Sequence, residues 1–167
     1  MYAIEVWGNA CKTEINKLEV LQKRAMRMMT YNDSFPVVPG PLKPSDPIFH
    51  KLNILKINDI YKFQVAKFIF RNLNNLAPVN FQNWFCPLNS IHNYHTRSNF
   101  NTDIDSNTNN LVIPFARTSN YGLKQICVNG PRIWNALPDD LRLENSKVTF
   151  LRKLKNFFTS GYYQVAT

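Results

Sequence analysis

Apolar side chains recur every three or four positions in two long stretches of the chain. The spacing in residues 14–31 predicts a helix, because one face of an α-helix repeats every 3.6 residues. Residues 58–74 are apolar around most of the circumference and keep only a narrow polar stripe. A helix of that kind is buried by several neighbours, so we expect it at the centre of the fold. The predicted inner face of the first helix consists of Ile15, Leu18, Leu21, Ala25, Met28 and Met29.

Shorter patterns predict three further helices. The Ser-Asp-Pro sequence at 45–47 is a helix-start signal and opens a short helix that extends to about residue 52. Residues 78–85 offer another short helix. Ser146 is a capping residue ahead of an amphipathic stretch, and Gly161 is a plausible stop for this final helix.

The segment between these helices has strand character. Residues 111–116 and 123–128 contain β-branched side chains, and Gly122 lies in the turn that separates them. We therefore expect a mainly α fold, a small helical domain with a short β-hairpin near residues 111–128.

Length and composition favour one folded domain over residues 1–167, because 44% of the side chains are apolar and 13% are aromatic. Residues 99–110 are almost all Asn, Asp, Thr and Ser, so we expect a mobile polar loop there. No apolar run reaches the roughly eighteen residues of a membrane span, and the N-terminus lacks a signal peptide. We expect no membrane contact. Three widely spaced cysteines are typical of reduced thiols in an intracellular protein.

Positive charge is gathered at the two ends of the chain. The net charge is +9, and residues 76–110 between the basic ends are nearly neutral. On the helix predicted over 14–31, the basic side chains share about 120° of arc opposite the apolar stripe. Such an arc is either an ordinary solvated face or a phosphate-binding surface. These side chains are Lys17, Lys23, Arg24 and Arg27 on the first helix, and Arg152, Lys153 and Lys155 on the last.

The sequence contains no pattern typical of a catalytic centre. Glycine-rich phosphate and dinucleotide motifs are absent, and no carboxylates pair convincingly. A zinc site at Cys86, His92 and His95 would need a fourth ligand, and unrelated loop residues are the alternative interpretation. Cys86 and His92 are candidates for a nucleophilic pair, but three cysteines and three histidines readily produce such pairs by chance, so chance is the preferred interpretation. We therefore expect no catalytic residue, metal, cofactor or small-molecule substrate.

Tyr94 and Arg97 are weaker candidates for contact with nucleic acid. Both lie in a hydroxyl-rich segment, where an aromatic ring stacks on bases and an Arg holds phosphates. A surface loop anchored by Tyr94 is the alternative.

Five sequence blocks in a fixed order carry a resemblance to a known family. Together they resemble the C-terminal, post-polymerase region of the reverse transcriptase, an RNA-directed DNA polymerase, of jockey-like non-LTR retrotransposons. The resemblance covers residues 2 to about 162. The blocks are Tyr-x-x-x-Val-Trp-Gly at 2–8, LEVLQKRAMRMMT at 18–30, PIFHKLNILKINDIYKFQVAKFIF at 47–70, IHNYHTR at 91–97 and GPRIWNALP at 130–138.

The resemblance implies a parent protein that copies its RNA onto nicked genomic DNA with an upstream endonuclease and polymerase. The family's catalytic aspartates, in a Tyr-x-Asp-Asp loop, have no counterpart here, so no catalytic residue carries over and this chain alone is not expected to be an enzyme. Ala3 stands where the family has Gly, and His95 where Asn is more common, which weakens a metal role for His95. Because Met1 directly precedes the first block, we expect a severed tail or a truncated gene copy.

These observations lead to one main functional hypothesis. The chain is a non-catalytic tail that helps bind template RNA or target DNA through phosphates during retrotransposition. The parent ribonucleoprotein would be found in the nucleus and cytoplasm, and the upstream polymerase domain is a second expected partner. Two alternatives stay open: a scaffold segment that packs on the polymerase thumb without touching nucleic acid, and a decayed copy without function. The candidate nucleic-acid-binding residues are Lys17, Lys23, Arg24, Arg27, Arg152, Lys153, Lys155, Tyr94 and Arg97.

Overall fold

A computed structural model describes residues 3–30, 45–90, 109–118 and 121–162. The expected mainly helical fold is confirmed within these ranges. Single 3₁₀ turns, Val79–Phe81 and Leu88–Ser90, follow the helix over Ile57–Leu73. The described helices are α1 (Ile4–Trp7), α2 (Lys12–Met29), α3 (Asp46–Lys51), α4 (Ile57–Leu73), α5 (Ile126–Asn135), α6 (Asp139–Arg142) and α7 (Lys147–Ser160).

The chain divides into two compact units. The α2 unit comprises Met1–Phe63 with Arg152–Thr167, and the α5 unit comprises Gln64–Leu151. Both α4 and α7 cross the division. A single domain over 1–167 stays a prediction. The predicted mobile loop at 99–110 lies outside the described residues, apart from its last two positions.

The core of the α2 unit joins three parts of the chain that are distant in sequence. Met26 of α2, Phe49 of α3 and Tyr162 after α7 are all buried, and apolar side chains from residues 48–54 pack against them. The rings of Phe49 and Tyr162 meet edge to face with centroids 6.4 Å apart. Pro47 in the first turn of α3 presets the backbone that places Phe49 inside.

Tyr162 also ties the end of the chain to the start of α4. Its hydroxyl donates to Asp59 Oδ2 at 2.5 Å and accepts the Lys56 backbone N–H at 3.0 Å. The Lys56 Nζ lies 4.5 Å from the Tyr162 ring centroid and 2.9 Å from Asp46 Oδ1. Burial, followed by the hydrogen bond to Asp59, raises the pKa of the Tyr162 phenol well above its ordinary value of about 10.

The structure corrects the predicted inner face of α2. Ile15 and Met26 are buried, whereas Leu21 is 57% and Met28 78% exposed. The reason is Gln22, whose Nε2 donates to the Leu55 carbonyl at 2.9 Å and whose Oε1 accepts the Ile57 N–H at 3.0 Å. The Ile57 N–H is among the first amides of α4 and has no intrahelical partner. A polar side chain therefore occupies the inner face, and most of the predicted apolar face turns outward.

The core of the α5 unit is aromatic. Phe70 of α4 stacks on Phe150 of α7 with ring centroids 4.4 Å apart, and Trp134 of α5 lies 5.9 Å from Phe150. The Phe68 ring meets Phe81 and Phe85 edge to face at 5.5 and 5.9 Å. These contacts hold the second half of α4 against the elements that follow it in the chain.

The predicted β-hairpin near residues 111–128 is wrong. Residues 126–135 form α5, because Val128, Pro131 and Trp134 are spaced three apart and are all buried on one side. Leu111 pairs instead with Pro87 in an isolated antiparallel bridge. A short β-branched run indicated a strand, but the helical spacing continues through GPRIW and decides the structure.

Gly130 lets α5 approach its neighbours closely. A Cβ added at this position would lie 3.1 Å from the Phe85 ring and 3.2 Å from Ile69 Cδ1. At those distances even a Cβ would require Phe85 and Ile69 to shift by a few tenths of an ångström, so glycine allows the present close packing of α5.

Replacing Phe150 with Ala should lower the free energy of unfolding by about 3–5 kcal/mol, because the ring is fully buried between two aromatic neighbours. Val148 lies on the same helix and is 78% exposed, so Val148→Ala should change the free energy of unfolding by less than about 0.5 kcal/mol. Urea unfolding followed by tryptophan fluorescence measures both. Equal effects of the two variants would contradict this description of the core.

Tyr162→Phe should lower the free energy of unfolding by about 1–2 kcal/mol at neutral pH, because two hydrogen bonds are lost. Since the folded-state pKa is raised, the phenol's contribution is fully present below about pH 10 and is lost as the pH rises further. The difference in the free energy of unfolding between wild type and Tyr162→Phe should therefore shrink by about 1 kcal/mol between about pH 9.5 and about pH 11.

Urea unfolding at those pH values measures the change. Tyr121 is 82% exposed, so Tyr121→Phe provides a control of identical chemistry and should show no such trend. If the difference in the free energy of unfolding between wild type and Tyr162→Phe does not change with pH, the raised pKa of the Tyr162 phenol is contradicted.

Candidate nucleic-acid interface

The predicted basic arc of α2 lies beside its buried face and continues round to the solvent side. At about 100° per residue, Lys23, Arg27, Arg24 and Lys17 follow one another around the helix. Lys17 and Arg24 are exposed, and Lys23 and Arg27 are half-buried. The hydrogen bonds of Gln22 fix this rotation of the helix, so they also decide which basic side chains reach solvent.

Two of these cations are paired with carboxylates of the same helix. Lys17 Nζ lies 2.8 Å from Glu14 Oε1, and Lys23 Nζ lies 2.6 Å from Glu19 Oε1. The Lys17 pair is well exposed, and exposed pairs contribute at most about 1 kcal/mol, so a phosphate can replace the carboxylate. The side chains of the Lys23–Glu19 pair are less exposed, so a phosphate replaces the Glu19 carboxylate less readily.

Arg24 is the most available of the four cations in the basic arc. It is exposed, and it forms no ion pair or hydrogen bond within the part of the chain that the structure describes. Its position on α2 puts it on the side away from Ile15 and Met26. A guanidinium in this state can form a bidentate contact to a phosphate without first losing another partner.

The basic residues of α7 belong to the same compact unit as those of α2. Arg152 and Lys153 are exposed, and Lys155 is half-buried. These three side chains spread over roughly 160° of the helix surface, so they do not form one narrow patch. The α2 unit therefore carries two basic surfaces, of which the one on α2 is the more compact.

An apolar stripe borders the basic arc on α2. The exposed fraction of its large side chains runs from 40% at Leu18 to 78% at Met28. The stripe is part of the face that the sequence predicted to be internal. We define the apolar stripe as Leu18, Leu21, Ala25, Met28 and Met29.

Four candidates from the sequence fall outside the described residues: Tyr94 and Arg97, and the zinc candidates His92 and His95. The Cys86 thiol is described and lies 3.0 Å from Ser90 Oγ. Over the described ranges, no three His, Cys, Asp or Glu side chains are grouped closely enough to hold a metal.

Sequence reasoning missed Arg142, which the structure places in a polar network of the α5 unit. One guanidinium Nη donates to Asn110 Oδ1 and the other to Asp139 Oδ1. The Arg142 carbonyl accepts a hydrogen bond from Asn109 Nδ2 at 3.1 Å. The side chain is only 9% exposed and lines a cavity of about 150 Å³. Its amide partners are more than thirty residues away, so no local pattern could have identified it.

No known protein family, curated protein or solved structure matches this chain. None of the helices in the described ranges combines the length and the apolar character needed to cross a membrane. The resemblance to a retrotransposon reverse transcriptase accordingly depends on the five sequence blocks alone.

Proposed function

We propose that this chain is the non-catalytic tail of a retrotransposon reverse transcriptase and helps hold template RNA or target DNA through phosphates. The observation that carries the proposal is the outward basic arc of α2, with Arg24 exposed and free of partners among the described residues. The net charge of +9 supports it, because long-range attraction raises the rate of encounter with a polyanion.

The mechanism is electrostatic and independent of sequence. Each Lys or Arg that neutralises a phosphate releases condensed counterions, which supplies the binding free energy. The Lys17–Glu14 pair would open and transfer its cation to the nucleic acid. Contacts of this kind position a strand, whereas base contacts would specify it.

Two of the five sequence blocks that carry the resemblance fall on core elements. The 47–70 block covers most of α3 and α4, and the GPRIWNALP block contains the buried Trp134 of α5. Blocks that encode buried side chains fit a folded accessory domain better than a catalytic centre, in which polar reacting groups would converge. This supports a binding role within a larger polymerase.

Affinity for a nucleic-acid duplex should fall with salt. If about six phosphates are neutralised, the slope of log affinity against log salt should be about −5. Arg24→Glu combined with Arg152→Glu removes two of these contacts and should make the slope less negative by about 2. Fluorescence anisotropy with a labelled duplex between about 50 and about 200 mM salt measures this change.

Arg117→Glu combined with Arg132→Glu is the matched control. Both residues are exposed, both lie in the α5 unit, and the pair changes the net charge by the same amount. The control should lower affinity only slightly and keep the slope of the wild type. Equal slopes for the two double variants, or a wild-type affinity insensitive to salt, would contradict the proposal.

A scaffold segment that packs on the polymerase thumb is the second candidate, and the exposed apolar stripe of α2 favours it. Contiguous exposed apolar side chains usually mark a surface that another protein covers. Methionines adapt to a partner surface, because their side chains are flexible and polarisable. In this case the stripe, and not the basic arc, would carry the function.

Leu21→Lys combined with Met28→Lys should abolish co-purification with the upstream polymerase region of the parent protein, because charge on the stripe prevents burial. Val79→Lys combined with Phe115→Lys is the control, since both side chains are at least 79% exposed and lie in the α5 unit. The control should keep co-purification. Tag-based capture after co-expression measures both, and retention by the stripe variant would reject the scaffold role.

A further inference from the structure

The segment that joins the bridge at Leu111 to α5 exposes two aromatic rings. Phe115 is 89% exposed, the highest fraction among the large apolar side chains of the described ranges, and Tyr121 is 82% exposed. The Tyr121 hydroxyl forms no hydrogen bond within the part of the chain that the structure describes. Rings of this size usually contribute to a core, so two of them exposed on one short segment indicate a surface that a partner covers.

A tight turn holds the backbones of these two residues close together. The Thr118 carbonyl accepts the Leu123 N–H at 3.0 Å, and the Thr118 hydroxyl accepts the Gly122 N–H at 2.8 Å. A Cβ added at Gly122 would lie 3.0 Å from Ala116 Cβ. The two exposed aromatic residues directly precede Ala116 and Gly122 in the sequence. Since consecutive Cα atoms are about 3.8 Å apart, the Cα atoms of the two aromatic residues are separated by roughly 14 Å at most.

The charge around the two rings favours a polyanion. Between Asp105 and Asp139 the sequence contains three cations and no carboxylate. Arg117 lies between the rings in the sequence, is exposed, and forms no ion pair or hydrogen bond within the described residues. Lys124 follows the turn and is also exposed. Aromatic rings next to a guanidinium are the groups with which proteins hold unpaired strands, because the rings stack on bases and the cation binds phosphates.

We propose that Phe115 and Tyr121 stack on unpaired bases of a single-stranded nucleic acid. Every base has a flat π face, so this contact tolerates any sequence, and Arg117 neutralises a phosphate beside the stacked bases. A duplex does not engage the rings, because its bases are already stacked on one another. The surface lies wholly in the α5 unit and needs no contribution from the basic arc of α2. The inference therefore goes beyond the proposed function and does not rest on it.

A membrane surface is the other partner that exposed aromatic rings beside cations can contact. Segments that lie on a membrane present a continuous apolar face to the lipid. The sequence between the two rings is instead Ala-Arg-Thr-Ser-Asn, which is mostly polar. A strand that offers bases and phosphates in alternation fits this mixture better, and vesicles of phosphatidylserine serve as the competing probe.

Strands that differ only in their bases measure the stacking. The probes are labelled oligo(dT) of about 12 nucleotides, its abasic equivalent with the same phosphates, and a duplex of the same length. We expect the full chain to bind oligo(dT) at least about tenfold tighter than the abasic strand at the same salt concentration. Fluorescence anisotropy measures the three affinities.

Phe115→Ala combined with Tyr121→Ala should reduce the affinity for oligo(dT) to that for the abasic strand, with an unchanged salt slope, because no charge is removed. Both side chains are exposed, so the fold should persist, which circular dichroism checks. Phe115→Tyr combined with Tyr121→Phe is the matched control, because it exchanges the two rings and keeps both. This control should keep the preference for oligo(dT), and duplex affinity should be the same for wild type and both double variants.

The outcomes separate this proposal from the function proposed above. A preference for oligo(dT) that the double alanine variant loses and the ring-exchange variant keeps supports the stacking surface, with or without binding of the duplex. Salt-dependent duplex binding with equal affinity for oligo(dT) and the abasic strand overturns the stacking surface alone, and absence of binding to any strand overturns both proposals. A preference that the double alanine variant keeps, or that the ring-exchange variant loses, also overturns the stacking surface. Vesicle binding that requires the two rings, without a preference for oligo(dT), assigns them to a membrane instead.

Discussion

The start of α4 depends on hydrogen bonds from side chains far away in the sequence. The Lys56 N–H is accepted by the Tyr162 hydroxyl and the Ile57 N–H by Gln22 Oε1. Helix-terminal amides have no intrahelical partners, and leaving one buried without a partner costs about 1–3 kcal/mol. These two contacts therefore fix the rotation of α2 and the position of the C-terminal end of α7. The exposure of the basic arc and of much of the apolar stripe follows from this, because a helix that turns Gln22 toward residues 55–57 directs both to solvent.

Helix α4 continues from the α2 unit into the α5 unit, and the type of contact that it makes changes along its length. Its first turns contribute Asp59 to the polar contacts around Tyr162, and its later turns contribute Phe70 to an aromatic stack. The polar contacts are directional and set geometry, whereas the aromatic contacts contribute mainly by excluding water. Within the α5 unit that stack also shapes a cavity, because Phe70 and Trp134 form part of its lining. Each unit thus has a packed core that positions one feature: the exposed face of α2 in the α2 unit and the cavity in the α5 unit.

Helices with a clear apolar period could be predicted from the sequence, and those with a mixed signal could not. The periodicities of α2, α4 and α7 are long enough to identify each helix within a few residues. The α5 segment failed because β-branched residues up to position 128 indicated a strand, although the three-residue spacing of Val128, Pro131 and Trp134 is helical. The basic side chains of α2 were predicted as a group, since they depend only on helix geometry. The Arg142 network could not be predicted, because its partners come from residues 109–110 and 139.

The sequence by itself determined the helical class, the places of the main helices and the gathering of cations on α2, because local periodicity and residue type are enough for each. Only the tertiary structure decided which face of α2 is buried: Ile15, Met26 and the hydrogen bonds of Gln22 lie on that face, whereas most of the apolar stripe is exposed. It also decided that Leu111 pairs with Pro87 and that Arg142 lines a cavity of about 150 Å³. Such contacts join residues far apart in the chain, and their energies depend on positions in space that no local pattern contains.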